Sequence, residues 1–402
     1  MKSFFQLLLD YKWEIIFSIC LFSNLYSYTF PRFMYYTVWV YFFYMSIKCR
    51  TNVAGQRGNL ASIFIGVIVF STIVNVAFLD LRWIMMCFVL YVTLSQTSYE
   101  YYKFKERFLF VSLFGYVITG LLNNYAHTVN INYQLKHWLY IGQDFTLSFS
   151  GFTNNPMWLS AACGIGIIFL TYWMNLLWHR KKIILSLLML PMIFLSLQTL
   201  VWGASRSALI ISIGASVLLF FLTNKSVNRI IVMLMAFAML AYVATPIIMA
   251  DSEKMQSKKG GMDFVDEDGE TSRTALWNMR FREFSSSPLW GVGFAVTGIE
   301  DEAMIGRAET GSGWLTVLSQ MGIIGIVLCL MIVYRAILPL SLLRGNPRMA
   351  LYSAILAYMC LHSIFEAYLF QSGWYLCFVF WLIVSILDDY KKYHKYELQC
   401  VS

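Results

Sequence analysis

The chain has 402 residues, of which 59% are hydrophobic, 17% aromatic and only 13% charged, and its formal net charge is +8. One soluble core cannot bury that much apolar surface, so the composition excludes an ordinary soluble protein and indicates a polytopic membrane protein. Most of the basic excess follows the predicted membrane topology, and it does not indicate nucleic-acid binding.

Apolar runs of about 17 to 25 residues, the length that crosses a bilayer, recur along the chain. They predict an all-α fold with about twelve transmembrane helices, near residues 13–29, 33–48, 61–79, 82–98, 108–123, 157–178, 183–202, 208–223, 230–250, 313–339, 349–370 and 374–388. The chain therefore divides into helices 1–9 (residues 1–250), a large polar loop (residues 251–312), and helices 10–12 with a tail (residues 313–402).

The distribution of Lys and Arg predicts the orientation of these helices. The N-terminus, alternate loops and the C-terminus hold 19 of the 30 basic residues. By the positive-inside rule both termini are cytoplasmic, and residues 251–312 lie outside together with the loops at residues 124–156 and 202–207. The long loop carries twelve acidic and seven basic residues.

Several classes of site have no support in the sequence. The eight cysteines lie in or beside apolar runs, and none falls in residues 251–312, so neither a disulfide framework nor a CxxC metal site is predicted. A phosphate loop of the GxxxxGK[ST] type and an HExxH motif are both missing from the sequence, which gives no support to a nucleotide-driven pump or a zinc hydrolase. We predict no metal site and no cofactor.

The long loop changes character at residue 272. From there, apolar residues recur with helical spacing at Leu276, Trp277, Phe281 and Phe284, and Ser272 is a candidate N-cap. This pattern predicts an amphipathic helix that rests on the outer surface of the bundle.

Four stretches share one further pattern. They are Gly-Phe-Thr-Asn-Asn-Pro-Met at residues 151–157, Ser-Arg-Ser-Ala at 205–208, Arg273 and Trp277 followed by Pro-Leu-Trp-Gly-Val-Gly-Phe at 288–294, and the segment at 310–325 that re-enters the membrane. In order and spacing they resemble the O-antigen ligase and O-antigen polymerase superfamily of bacterial polysaccharide assembly. The resemblance implies a GT-C-like glycosyltransferase in the bacterial inner membrane. It also implies transfer of glycan from a polyprenyl-diphosphate carrier to a sugar hydroxyl at the outer face.

The chain departs from the ligase pattern at one position. Ligases of this family carry a histidine that is implicated in catalysis, where this chain has Gly311-Ser312. The sequence has no histidine between Val201 and Met359, so a shift of the alignment by a residue does not supply one. This departure argues against the lipid A-core ligase and favours the polymerase branch or another member of the polysaccharide-assembly superfamily.

The implied reaction breaks a bond between an anomeric carbon and a diphosphate, and negative charge develops on the leaving group. Arginine suits this role because it stays protonated and its planar fork binds phosphate oxygens. The arginines we select are Arg206 and Arg273 as catalytic residues, and Arg280, Arg282 and Arg307 as substrate-binding residues.

Each arginine also has a structural interpretation. Arg206 could reach lipid phosphate from the interface, and Arg273 could be a solvated charge on a polar helix face. Arg280 or Arg282 could pair with Glu283 or with lipid.

The acceptor hydroxyl needs a base, and two carboxylates are candidates for it. Glu309 precedes the segment that re-enters the membrane, and Glu366 falls within a predicted membrane helix, where ionisable residues are expensive. The alternative for Glu366 is polar packing with His362, four residues earlier on the same helical face.

The remaining candidates are polar or aromatic residues that could bind substrate: Asn154, Asn155, Ser205, Ser312, Trp277 and His362. Structural alternatives exist for them too. Asn154 and Asn155 fit a turn and helix start before Pro156. Trp277 fits an interfacial anchor, and His362 fits a satisfied interior histidine.

The leading functional hypothesis is a polymerase that joins lipid-linked repeat units of O-antigen, capsule or exopolysaccharide. The nearest alternative is a ligase that moves a finished glycan to lipid A-core or protein. A flippase or transporter is a more distant alternative, because the sequence lacks a convincing internal repeat. A fourth hypothesis is a structural or regulatory subunit, which predicts no effect of single arginine substitutions. Expected partners are the glycan donor and acceptor, the bilayer, and a chain-length regulator or flippase of the same pathway, with no nucleic acid.

Overall fold

The computed structural model describes residues 9–49, 56–75, 82–95, 98–133, 149–203, 205–224, 272–294 and 311–401, together with the single positions 6 and 235. Within these ranges all regular secondary structure is helical, and no β-strand occurs. The predicted all-α class is therefore confirmed.

In chain order, the helices are α1 (Lys12–Phe22), α2 (Phe33–Lys48), α3 (Gln56–Val74), α4 (Arg82–Leu90), α5 (Tyr99–Thr128), α6 (Pro156–His179), α7 (Ile183–Leu187), α8 (Met189–Trp202), α9 (Arg206–Thr223), α10 (Ser272–Ser286), α11 (Gly313–Arg335), α12 (Leu340–Gly345), α13 (Pro347–His362) and α14 (Tyr375–Val401). A π-helical segment, Tyr91–Ser95, follows α4, and a 3-10 turn, Tyr368–Phe370, precedes α14.

In the described part of the chain, five helical segments are long and apolar enough to cross a membrane. They are Tyr99–Thr128, Pro156–His179, Ile183–Trp202, Arg206–Thr223 and Gly313–Arg335, and two shorter apolar helices span Gly58–Val74 and Arg82–Leu94. These segments support a membrane protein. The predicted span at residues 230–250 and most of the loop at 251–312 lie outside the described residues.

Several predicted helix ends are wrong. Helix α5 begins at Tyr99 and not near residue 108, α14 continues to Val401 and not only to residue 388, and two other helices end early. The first helix ends at Phe22, and residues 23–29 form turns, whereas we expected a helix to residue 29. The helix predicted over residues 349–370 ends at His362. Apolar composition continues past both ends, so hydropathy alone does not reveal them.

The described residues fall into two compact units. Unit 1 holds those of Met1–Val38, Arg107–Met262 and Pro339–Tyr358. Its centre is α6, which packs against α7, α8 and α9. The small residues Ala161 and Ala162 of α6 are buried, and small residues let neighbouring membrane helices approach closely.

Unit 2 holds the described residues of Trp39–Glu106, Asp263–Leu338 and Met359–Ser402. In this unit α11 packs against α3, α10 and α14. A buried ion pair joins α5 to α14, because Lys105 Nζ donates to Asp389 Oδ2 at 2.7 Å. The same ammonium donates to the Thr93 carbonyl in the π-helical segment at 3.3 Å. These contacts specify how α5, α14 and that segment fit together.

Candidate active site

In unit 2, residues 287–294 form a strap that lies across a break in α11. The break is at Gly322, whose φ of 63° and ψ of −164° are not helical. Backbone hydrogen bonds join the strap to the residues around the break: Val292 N to Ser319 O (3.0 Å), Gly293 N to Gln320 O (3.1 Å) and Ile323 N to Pro288 O (2.8 Å). Because hydrocarbon cannot solvate the groups that a helix break frees, the strap makes the break tolerable.

Two glycines allow this close approach. Gly291 of the strap has φ of 74° and Gly322 of α11 has φ of 63°. Residues that carry a side chain rarely adopt such positive φ angles. A Cβ atom on Gly291 would overlap the backbone of Gln320, and one on Gly322 would overlap the backbone of Leu289. The resemblance over residues 288–294 and 310–325 therefore includes the two sides of one backbone contact.

Polar side chains at the end of α3 and immediately after it contact the strap and α11 from another direction. The bonds are Ser71 Oγ to Gln320 O (2.7 Å), Asn75 Nδ2 to Gly291 O (3.2 Å) and Phe294 N to Thr72 Oγ1 (3.4 Å). None of these three polar residues was among the predicted site residues. Their spacing places all three on one side of the chain, which sequence analysis could have noticed. Their partners, however, are backbone groups of the strap and α11, which the sequence does not reveal.

The start of α11 collects several of the predicted site residues. Ser312 is buried and is the N-cap, since its Oγ accepts from the Leu315 amide at 3.5 Å. The Gly313 amide donates to the Glu366 carbonyl at 3.1 Å. The indole of Trp277 donates to the Gly311 carbonyl at 3.2 Å. The structure thus brings Trp277, Ser312 and the backbone of Glu366 together around Gly311-Ser312, where the sequence departs from the ligase pattern.

Arg280 lies on α10 with its guanidinium inside unit 2, where it is 1% exposed. Its Nη1 donates to Glu283 Oε2 at 2.7 Å and to Ser319 Oγ at 3.5 Å. Burial lowers the pKa of Arg280 from its ordinary value, and the adjacent Glu283 carboxylate counteracts part of this shift. Of the two pairings anticipated for Arg280 and Arg282, the one between Arg280 and Glu283 is present, whereas Arg282 is exposed.

The helix predicted at residues 272–284 is confirmed, but its predicted apolar contact face is wrong. Phe281 is 48% exposed, whereas Arg280 and Glu283 are buried. Leu276, Trp277 and Phe284 are half-buried. A charged pair can face inward here because each member partly neutralises the other.

The shared helical face predicted for His362 and Glu366 is also wrong. Helix α13 ends at His362, and Glu366 lies in the non-helical segment that follows. The Gly313 amide donates to the carbonyls of Ser363 and Glu366, at 2.8 Å and 3.1 Å, so contacts with α11 hold this segment in its non-helical form. His362 is buried, with its ring 5.7 Å from that of Tyr368.

In unit 1, Arg206 is the first residue of α9, and its side chain is exposed. Ser205 caps this helix, since its Oγ accepts from the Ala208 amide at 3.4 Å. The cap fixes the backbone that carries Arg206 while leaving the guanidinium at the surface of unit 1.

The predicted site residues Asn154 and Asn155 make structural contacts. Asn154 Nδ2 donates to the Asn24 carbonyl at 3.2 Å and to Ser27 Oγ at 3.0 Å. Asn155 is the N-cap of α6 and accepts from the Met157 amide at 2.8 Å. These contacts agree with the interpretation as a turn and helix start.

Residues that flank two segments of the resemblance meet in unit 1. The amide of Phe149, next to the segment at 151–157, donates to the Trp202 carbonyl at 3.2 Å, three residues before Ser205. Trp202 also stacks on His127, with ring centroids 3.5 Å apart and planes within 8°. Neither His127 nor Trp202 was a predicted site residue. They lie 75 positions apart in the chain, and no local sequence pattern predicts a contact over that distance.

The side chains of three predicted site residues lie outside the described structure. Glu309 and Arg307 lie outside the described residues, and Arg273 is described only by its backbone in α10. Among the described residues, no group of three His, Cys, Asp or Glu side chains is arranged to hold a metal ion.

A protein-family model described as O-antigen ligase matches residues 191–330. The match confirms the resemblance. It covers α8 to α10 and most of α11, including Ser205-Arg206, the strap and the break at Gly322. No curated protein matches the chain. The match to residues 191–330 therefore supports the assignment of this chain as an enzyme of polysaccharide biosynthesis in a membrane, with a lipid-linked glycan as its substrate.

Proposed function

We propose that this protein is a polysaccharide polymerase. It transfers glycan from a polyprenyl-diphosphate carrier to a sugar hydroxyl of the next lipid-linked repeat unit, at the outer face of the bacterial inner membrane. The observation that carries the proposal is the family match at residues 191–330 in a sequence without a histidine between Val201 and Met359. Ser312, at the start of α11, serves instead as a helix cap.

In the proposed reaction, the acceptor hydroxyl oxygen forms a bond to the anomeric carbon of the donor glycan. The bond from that carbon to the carrier diphosphate breaks, and the diphosphate leaves with the electron pair. Arg206 is our first choice for the group that stabilises the charge on the leaving diphosphate, Arg273 is the second, and the proposal requires no metal. Arg282 and Arg307 bind anionic parts of the substrate.

The proton of the acceptor hydroxyl goes to a carboxylate. Glu366 is our first choice, because its backbone is held beside the start of α11, where its carbonyl oxygen lies 3.1 Å from the Gly313 amide nitrogen. Glu309 precedes the same helix in sequence and is the second choice.

A ligase is the second candidate, and the description of the matching family favours it. It would use the same arginines to move a finished glycan to another acceptor. The two candidates differ in what happens when the lipid-linked repeat unit is the only substrate.

That difference gives the test of function. Purified protein in nanodiscs is incubated with its native polyprenyl-diphosphate repeat unit, and the products are separated on a gel. We expect a ladder of increasing repeats. Transfer only to an added lipid or protein acceptor would instead establish a ligase, and no transfer in either assay would overturn both candidates.

We also propose the topology. Both termini are cytoplasmic, and residues 251–312 are external, between the nine predicted membrane helices that precede them and the three that follow. A cysteine at position 258, introduced as Lys258→Cys, should react with a membrane-impermeant thiol reagent in intact cells stripped of their outer membrane. Labelling that requires lysis would overturn this topology. A chain-length regulator or a flippase of the same pathway would be a partner on the membrane.

A further inference from the structure

The Arg280–Glu283 pair of α10 is buried, yet its hydrogen bonding is incomplete. Nη1 of Arg280 bonds to Glu283 Oε2 and faces Ser319 Oγ. Within the described part of the chain, Nε and Nη2 of Arg280 and Oε1 of Glu283 have no hydrogen-bond partner. Buried polar atoms without partners are costly and rare in native proteins, so these three atoms call for something that binds them.

The three atoms have a definite chemistry. Nε and Nη2 lie on one edge of the planar guanidinium and form a fork of two donors, whereas Oε1 is an acceptor. The charge of Glu283 cancels that of Arg280, so the pair is neutral as a whole. A diphosphate would meet the fork and a negative carboxylate together, and the carboxylate would repel it. Sugar hydroxyls can accept from the fork and donate to Oε1 at the same time.

We propose that the Arg280–Glu283 pair binds two neighbouring hydroxyl groups of an uncharged sugar ring in the glycan. The carrier diphosphate is bound elsewhere. This inference rests on the proposed function and assigns one part of the substrate to one pair of residues. It gives Arg280 a role in sugar binding that differs from the diphosphate role proposed for Arg206 and Arg273.

The test measures binding of two probes to the full-length protein in nanodiscs. One probe is undecaprenyl diphosphate without sugar, and the other is the repeat-unit oligosaccharide released by mild acid from the host's lipid-linked pool. We expect Glu283→Gln to weaken oligosaccharide binding roughly tenfold, the value of one charge-assisted hydrogen bond. The same variant should leave binding of undecaprenyl diphosphate unchanged.

Two further variants guard against misfolding. Arg280→Gln combined with Glu283→Gln removes both buried charges together and should also lose oligosaccharide binding, with a melting temperature close to that of the wild type. Arg344→Gln, which removes an exposed arginine from α12, should change the binding of neither probe.

The inference is overturned if Glu283→Gln weakens diphosphate binding as much as oligosaccharide binding, if it leaves oligosaccharide binding unchanged, or if the wild type binds no oligosaccharide. The elongation assay separates this failure from failure of the proposed function. Wild-type protein that elongates the repeat unit while Glu283→Gln behaves normally would remove only the sugar-binding role. Wild-type protein that transfers no glycan would remove the proposed function itself.

Discussion

Arg206→Ala is expected to abolish glycan extension while leaving the amount of folded protein unchanged. Removing one preorganised group that stabilises transition-state charge lowers the rate about 100-fold to 1,000-fold. Only the shortest products should then be visible on the gel. Folding should survive because the Arg206 side chain is exposed, and the cap of α9 comes from Ser205.

The chain-length ladder and the thermal unfolding temperature are the two measurements for this variant. Arg344→Ala is the matched control, since it also removes an exposed arginine but from α12. Arg206→Lys should retain part of the activity, because the charge remains while the bidentate fork is lost. A normal ladder from Arg206→Ala would remove Arg206 from the catalytic residues and favour the alternative that it contacts lipid phosphate.

Several helix starts were predictable from the sequence, although α3 begins at Gln56 and not near residue 61, and α5 begins at Tyr99 and not near residue 108. Gly313 begins α11 as expected, and the helix predicted over residues 33–48 matches α2 at both ends. The predicted start at residue 157 is one residue from that of α6. These starts carry their own signals in the chain, such as Asn155 as a cap followed by Pro156, so sequence alone can locate them.

The contacts that shape the candidate site were not predictable in this way. Whether Glu366 is helical depends on its carbonyl accepting from Gly313, 53 residues earlier in the chain. Whether Arg280 faces inward depends on Glu283 and on Ser319 in another helix. Apolar periodicity placed Phe281 on the buried face and the arginine outside, because hydrophobicity patterns cannot anticipate a buried ion pair.

Gly322→Ala is expected to destabilise unit 2 strongly. A left-handed conformation costs roughly 1–2 kcal/mol for a residue with a Cβ atom. The new methyl group would also overlap the Leu289 carbonyl and push the strap away from α11. The strap would then lose three backbone hydrogen bonds. Two are donated by the strap to Ser319 and Gln320, one is donated to it by Ile323, and each is worth about 1 kcal/mol.

The total loss is therefore about 4–5 kcal/mol, which corresponds to a fall in melting temperature on the order of 10 °C. Glycan extension should fall with it, since Ser319 faces Arg280 and also accepts the Val292 amide of the strap. Gly66→Ala is the control, because Gly66 lies in α3 of the same unit and no neighbouring atom would stand within 4 Å of the added methyl group. That change should be neutral or slightly stabilising, as Ala is the better helix former. Equal melting temperatures for the two variants would mean that the strap does not rest on the break in α11.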